Sequence, residues 1–201
     1  MSNTFQTLAF WRGQLPHWEV AGAYYFITLH LAEALPLDAV KRIRETSAKL
    51  SNPDLPQHDQ LQRFIFREME RWLDKAPRTE RLAVPEVARM VAGAIHFRER
   101  QGIWTVPEYV IMPNHLHMLM KLRDGRLKQV MEQFKRWTGV QAAALLNDSK
   151  KGFWQTEWFD HWIRTPEQYI STKRYIRRNV ERAGLAANYL DWPYGSWNKS
   201  P

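Results

Sequence analysis

The 201-residue chain contains no cysteine. Disulfide staples, zinc–thiolate sites and thiol nucleophiles are therefore excluded, and any metal must be held by histidine, carboxylate, amide or water. Long apolar runs are missing as well. No stretch reaches the roughly 18 to 20 apolar residues that a bilayer-spanning helix needs, and the first residues lack a basic segment followed by a continuous apolar core. These absences lead to the expectation of a cytoplasmic protein with no membrane partner. Internal repeats and low-complexity segments are also lacking, and the length suits one domain spanning residues 1–201.

Acidic residues are the scarcer charge, 21 against 29 lysines and arginines, for a formal net charge of +8. The imbalance is concentrated, because residues 121–182 hold 14 basic and 7 acidic side chains. A basic half of this kind suits a polyanionic partner, since neutralising phosphates releases condensed counterions. A solvated basic face is the alternative reading of the same charge.

Residues 23–31 are aromatic and β-branched with period-two alternation, and read as a strand. Residues 37–50 and 60–75 carry helical spacing, with Leu61, Ile65, Met69 and Trp72 about one turn apart. The polar residues 51–56 between them read as a loop. Pro85 sits at a plausible first helical position of a third helix that runs to Gln101 and Gly102. Residues 104–112 and 115–122 are two apolar strands joined by Pro113 and Asn114, which interrupt a ladder. Residues 127–146 read as helix, 153–163 as an aromatic extended segment, and 166–184 as a last helix with Pro166 near its start and Gly184 just past its end. The tail at 192–197 has no usable periodicity. Interleaved strands and helices with an adjacent strand pair predict an α+β fold, helices packed on one side of a mainly antiparallel sheet.

His115 and His117 open the strongest strand and, two apart, project from the same face, so both imidazoles can meet one metal ion. Two surface histidines on a half-exposed strand remain the alternative, weakened by the cost of burying two polar rings amid Val, Ile, Met and Leu. Tyr175 and Asn179 lie four apart on the last helix and share a face. Lys173, Arg174, Arg177, Arg178 and Arg182 surround them. A tyrosine on an amphipathic helix is also a common packing residue. Together the two pairs have a mechanism that neither has alone: a divalent ion held by the imidazoles and an amide oxygen polarises a phosphodiester, and the phenol oxygen attacks phosphorus. Lys135, Arg136 and Arg164, with the cations near Tyr175, are the candidate nucleic-acid contacts. Trp154, Trp158, Phe159 and Trp162 either stack unpaired bases or form a tryptophan-rich core edge.

The run from Tyr109 through Met112, Pro113, Asn114, His115 and His117 to Leu119, followed by Phe153-Trp154-Gln155, by Asp160 to Arg164 and by Tyr175 to Leu185, resembles the REP-associated tyrosine transposases, a one-tyrosine group of HUH nucleases (His, hydrophobic residue, His). Leu15 to Trp18 and Tyr25 to Leu29 extend the resemblance toward the N-terminus. The resemblance implies a ferredoxin-like or RRM-like βαββαβ sheet with the histidine pair on a central strand and the tyrosine on a C-terminal helix. It implies Mg²⁺ or Mn²⁺ held by His115, His117 and Asn179, and Tyr175 as nucleophile. It further implies cleavage and rejoining of single-stranded DNA beside palindromic REP-type hairpins, leaving a 5′-phosphotyrosine and a free 3′-OH, in a cytoplasmic protein associated with the nucleoid. Many relatives follow the asparagine with proline, where this chain has Val180, and the helical elaboration at about 37–100 is longer than a minimal relative needs. A hairpin-binding regulator without transposition and a phosphodiesterase that activates water are the rival readings.

Overall fold

A computed structural model of the protein describes residues 6–49, 58–75, 79–123, 126–148 and 152–198. The loop expected at 51–56 lies outside the described residues.

The chain opens with an antiparallel hairpin, β1 (Thr7–Arg12) and β2 (Pro16–Val20). Gly13 lies in its turn, where the Glu157 carboxylate comes close to the backbone. Strand β3 (Tyr24–His30) follows, then helices α1 (Leu37–Ser47), α2 (His58–Lys75) and α3 (Pro85–Arg100). Strands β4 (Trp104–Ile111) and β5 (His115–Leu122), helix α4 (Leu127–Leu146), strand β6 (Phe159–Ile163) and helix α5 (Pro166–Arg182) complete the order. Four strands form one antiparallel sheet in the order β4-β5-β3-β6, the α+β architecture expected, with helices on both faces where one was expected. The hydrophobic runs placed β4 and β5 to within a residue, because both strands are buried along most of their length. The hairpin β1–β2 is a separate two-stranded sheet. Sequence periodicity did not reveal β1, whose residues alternate between exposed and half-buried positions.

The side-chain period of two divides the main sheet into two faces. Tyr109, Ile27, Leu29, Leu116 and Met118 point to one face, covered by α3 and α4: the Trp104 ring packs edge-on against Phe134 at 5.4 Å and its Nε1 donates to the Ile95 carbonyl at 3.1 Å. His30, Thr28 and Phe26 of β3 align with His115, His117 and Leu119 of β5 on the other face. Helices α2 and α5 cover that face, α2 bringing Phe66 against Phe26 at 5.3 Å and α5 bringing Tyr175 against Phe26 at 5.6 Å. Among the helices at 37–100, α3 closes one face of the sheet and α2 packs on the other.

Helix α5 begins where Thr165 accepts the Gln168 amide at 3.2 Å and Pro166 takes a first-turn position. It ends at Gly184, whose φ of +67° suits a residue without Cβ, with the Leu185 amide reaching back to the Val180 carbonyl at 3.0 Å. Val180 is fully buried within a continuous helix. The aperiodic tail also has a place. The Ile111 amide donates to Tyr194 at 2.8 Å and the Ser196 amide to Tyr109 at 3.0 Å, so the tail runs along β4. No helix among the described residues is long and apolar enough to cross a membrane.

Candidate active site

β5 begins immediately after the turn at Met112, Pro113 and Asn114, so its first side chains stand at the end of the sheet. The His115 and His117 rings stand edge-on to each other there, centroids 4.5 Å apart. Each ring is held through Nδ1. Asn114 Nδ2 donates to the Leu73 carbonyl at 2.9 Å, which leaves Asn114 Oδ1 as the acceptor for His115 Nδ1 at 2.6 Å. That bond sets the His115 tautomer and leaves the Nε2 lone pair free. His117 Nδ1 meets Thr28 Oγ1 at 2.9 Å across the β3–β5 pair.

A third group comes from α2. Gln62, Phe66 and Glu70 recur every four residues and form one stripe of the helix facing the sheet. Glu70 Oε1 lies 3.4 Å from His117 Nε2, and ligand atoms of Glu70, His115 and His117 all fall within 4.8 Å of one another. Glu70 Oε1 and the Nε2 atoms of both histidines are buried without a hydrogen-bond partner. Three unsatisfied lone-pair donors converging in a buried site are costly unless a cation completes them, so the residues fit a divalent metal. Burial opposes charge on Glu70, but the imidazoles and the Tyr175 hydroxyl offset it and hold the carboxyl down at about 2. Burial, followed by the neighbouring His117, keeps the His115 pKa well below its ordinary value, so its ring is neutral as a ligand must be. His30, beside His115 in the strand register, is likewise neutral, pushed down to about 4 chiefly by burial.

Tyr175 adjoins this cluster. Its ring stands 5.5 Å from that of His117, and its hydroxyl donates to Glu70 Oε2. Glu70 therefore turns one oxygen to the imidazoles and the other to the phenol. Burial first, then the Glu70 charge, raises the Tyr175 pKa above its usual value, while Arg182 opposes the shift. Arg182 donates to Glu70 Oε2 at 3.1 Å and to Asn179 Oδ1 at 2.7 Å. Asn179 is buried, with Nδ2 donating to the Tyr175 carbonyl at 2.8 Å. The structure thus brings Tyr175, His115 and His117 together, whereas the Asn179 amide meets Arg182, which stands three residues on along α5. Tyr169 packs at the far end of the sheet, edge-on to Tyr24 at 5.0 Å.

The expected cationic contacts fall into two groups. Arg174 and Arg178 are exposed on α5, while Arg177 and Lys173 lie 2.9 and 3.5 Å from the buried Glu108 carboxylate. Arg164 stacks over Trp162 at 4.3 Å. Lys135 and Arg136 belong to α4, across the sheet, and line a cavity of about 470 Å³ with Arg81, Phe153 and Trp154. Burial lowers the Lys135 pKa to about 8, so it is mostly charged at neutral pH. Trp154 and Trp158 are buried, as a core edge requires, and Phe159 is buried with one side in the wall of a second cavity. Sequence reasoning missed Glu70 and Thr28; the four-residue stripe of α2 was the available signal for the first.

A protein of Escherichia coli (strain K12) described as a REP-associated tyrosine transposase is 24% identical over 117 residues, covering 55% of this chain and 65% of that protein. The chain is similar to the REP-associated tyrosine transposases. A Haemophilus influenzae protein named for the same transposases is 27% identical over 99 residues, covering 44% of this chain and 56% of its own length. The matches to these two transposases therefore span between about half and two thirds of each. A solved REP-associated tyrosine transposase bound to a REP hairpin superposes with a TM-score of 0.54 at 18% identity, over 89% of this chain and 78% of that one, which establishes a shared fold. No protein-family model matches the chain.

Proposed function

We propose that this protein is a metal-dependent DNA endonuclease and strand transferase that cuts and rejoins single-stranded DNA beside REP-type hairpins, with Tyr175 as nucleophile. The observation that carries the reading is the Glu70 carboxylate shared between the two histidines and the Tyr175 hydroxyl. His115, His117 and Glu70 are the metal ligands in this reading, in preference to Asn179, which holds Arg182 and the helix in place. A divalent ion, Mg²⁺ or Mn²⁺, supplies positive charge that favours the phenolate and polarises the phosphodiester. Nitrogen and oxygen donors without sulfur suit either ion.

The phenol oxygen attacks phosphorus, the bond between phosphorus and the 3′ oxygen breaks, and the leaving oxygen takes up a proton as a free 3′-OH. Glu70 Oε2 stands where the phenol proton departs. Arg182, within 3.3 Å of the hydroxyl, favours the negative charge that develops on it. The 5′-phosphotyrosine keeps the bond energy for rejoining. The paired backbone of a duplex resists turning one phosphate into line with Tyr175, so unpaired DNA next to the hairpin is the substrate. The similarity to REP-associated transposases supports hairpin DNA as the partner, and the concentrated positive charge supports a polyanion. Lys173, Arg174, Arg177, Arg178 and Arg164 are the proposed backbone contacts on the Tyr175 side, and Lys135 and Arg136 those on the other.

The test uses end-labelled oligonucleotides carrying a foldback hairpin and the annealed duplex of the same sequence, each with Mn²⁺ or excess chelator. Cutting of the hairpin oligonucleotide alone, with a peptide containing Tyr175 recovered joined to a 5′ phosphate by mass spectrometry, is expected. Cutting in chelator removes the metal. Cutting without a covalent adduct favours water as nucleophile, and binding without cutting favours a regulator.

A further inference from the structure

A second cavity, of about 400 Å³, opens between α2, α5 and the sheet, with Tyr175 in its wall. Its floor is an aromatic cluster: Phe66 stands 5.2 Å from Phe159 and 5.3 Å from Phe26, and 5.4 Å from Tyr175 itself. Polar side chains rim it. Gln62 and His161 are joined at 2.9 Å, and Gln168 Oε1 accepts the Arg164 amide at 2.8 Å, which turns its amino group away from that bond. Arg63 and Thr172 complete the mouth, and no carboxylate lines the cavity among the described residues.

We infer that this cavity is a nucleobase pocket, taking the base of the nucleotide next to the phosphodiester that Tyr175 attacks; the inference rests on the reading of Tyr175 as a nucleophile of DNA. Small-ligand pockets are mainly apolar with a few convergent polar groups, in volumes of roughly 300 to 1,000 Å³. This one adds the chemistry of a nucleotide: aromatic faces for the ring, amide and imidazole edges for its hydrogen-bonding rim, and a cation with no opposing carboxylate for the phosphate. Adjacency supplies the register. A base seated against Phe66 and Phe159 has its sugar toward Tyr175, which draws the neighbouring phosphate to the hydroxyl and restricts which phosphate is cut. The pocket also gives α2 a second task, because the stripe that brings Glu70 to the histidines brings Gln62 and Phe66 to the base.

The experiment replaces, one position at a time, each base flanking the cut with an abasic sugar in the hairpin oligonucleotide. Loss of one stacked base is expected to slow cleavage roughly 5- to 150-fold, at one position adjoining the scissile phosphate and not at the others. Thr172→Trp, a substitution at the half-exposed mouth, fills the pocket; it should cut the intact oligonucleotide as slowly as the abasic one, cut the abasic one no more slowly, and bind the hairpin unchanged. An equal response at every position, or an unaltered preference in Thr172→Trp, overturns the pocket. A readout independent of cutting uses Tyr175→Phe protein and oligonucleotides carrying 5-iodouracil at single positions: photocrosslinking to Phe66, Phe159 or His161 is expected, and crosslinking only to α4 overturns the proposal. A crosslink in the pocket from a protein that never cuts DNA leaves the base site standing and removes the tyrosine reading alone.

Discussion

His17 in β2 is buried against Asp160 of β6 and lies 3.3 Å from Glu157, with Trp11 stacked on its ring at 5.0 Å. Burial disfavours its charge, yet the two carboxylates outweigh burial and raise its pKa from 6.5 to about 9. At roughly 1.4 kcal/mol per pH unit, this pairing contributes about 3 kcal/mol to stability. The sign follows from proton counting. Below 6.5 both folded and unfolded chains hold the proton and the whole contribution is present; between 6.5 and about 9 only the folded chain holds it, so stability falls as pH rises and the contribution is gone above 9. Lys135 works in the opposite sense from about 8 upward, its folded pKa being lowered. The informative quantity is therefore a difference between proteins. Urea unfolding of wild type and His17→Gln, measured from pH 6 to pH 10, should show a gap of about 3 kcal/mol at pH 6 that closes by pH 10. A gap that stays constant across that range would refute the assignment of charge to this histidine.

Tyr175→Phe should abolish the covalent adduct and cleavage while hairpin affinity stays within about two-fold of wild type by fluorescence anisotropy, since phosphate contacts carry the affinity; Tyr169→Phe should still form the adduct, and loss of it there would point to the wrong tyrosine. His115→Ala and His117→Ala should remove Mn²⁺ binding in calorimetry. Thr28→Val, which leaves His117 Nδ1 without its partner, should weaken that binding about 10- to 100-fold, and undiminished affinity would exclude the orienting role of Thr28. The logarithm of hairpin affinity should fall linearly with the logarithm of salt concentration, and Arg174→Ala with Arg178→Ala should each reduce the slope by about one; a slope unchanged in both would take α5 out of the DNA contact.

The elements most legible in the sequence were those with a sustained apolar pattern bounded by turn residues. β5 matches its expected span because an apolar run between turn residues admits few alternatives, α4 because its buried residues recur at helical spacing, and α5 announced both its ends through Pro166 and Gly184. β1 was not legible because its residues alternate between exposed and half-buried positions, which leaves no buried face to pattern. The same contrast runs through the site. His115 and His117 are two apart on one strand, so local geometry alone brings them together. Glu70 is 45 positions before His115, and no local pattern joins a helix to a strand at that distance; only the packing of α2 over the sheet does so. The proximity of Asn179 to Tyr175 was equally readable, but Arg182, which occupies the amide oxygen, required the side-chain arrangement.

The tail that lies along β4 has a bearing on how the molecule can associate. A bare outer strand offers its unpaired amides and carbonyls as a template for another chain. At Tyr109 and Ile111 those groups are already engaged by Tyr194 and Ser196, and Trp192 Nε1 donates to the Ile111 carbonyl at 2.9 Å. The tail therefore serves as a built-in competitor for any intruding strand on this flank. Clipping the chain after Leu190 would expose the β4 backbone and convert a protected border into an adhesive one, with aggregation rather than loss of chemistry as the first symptom.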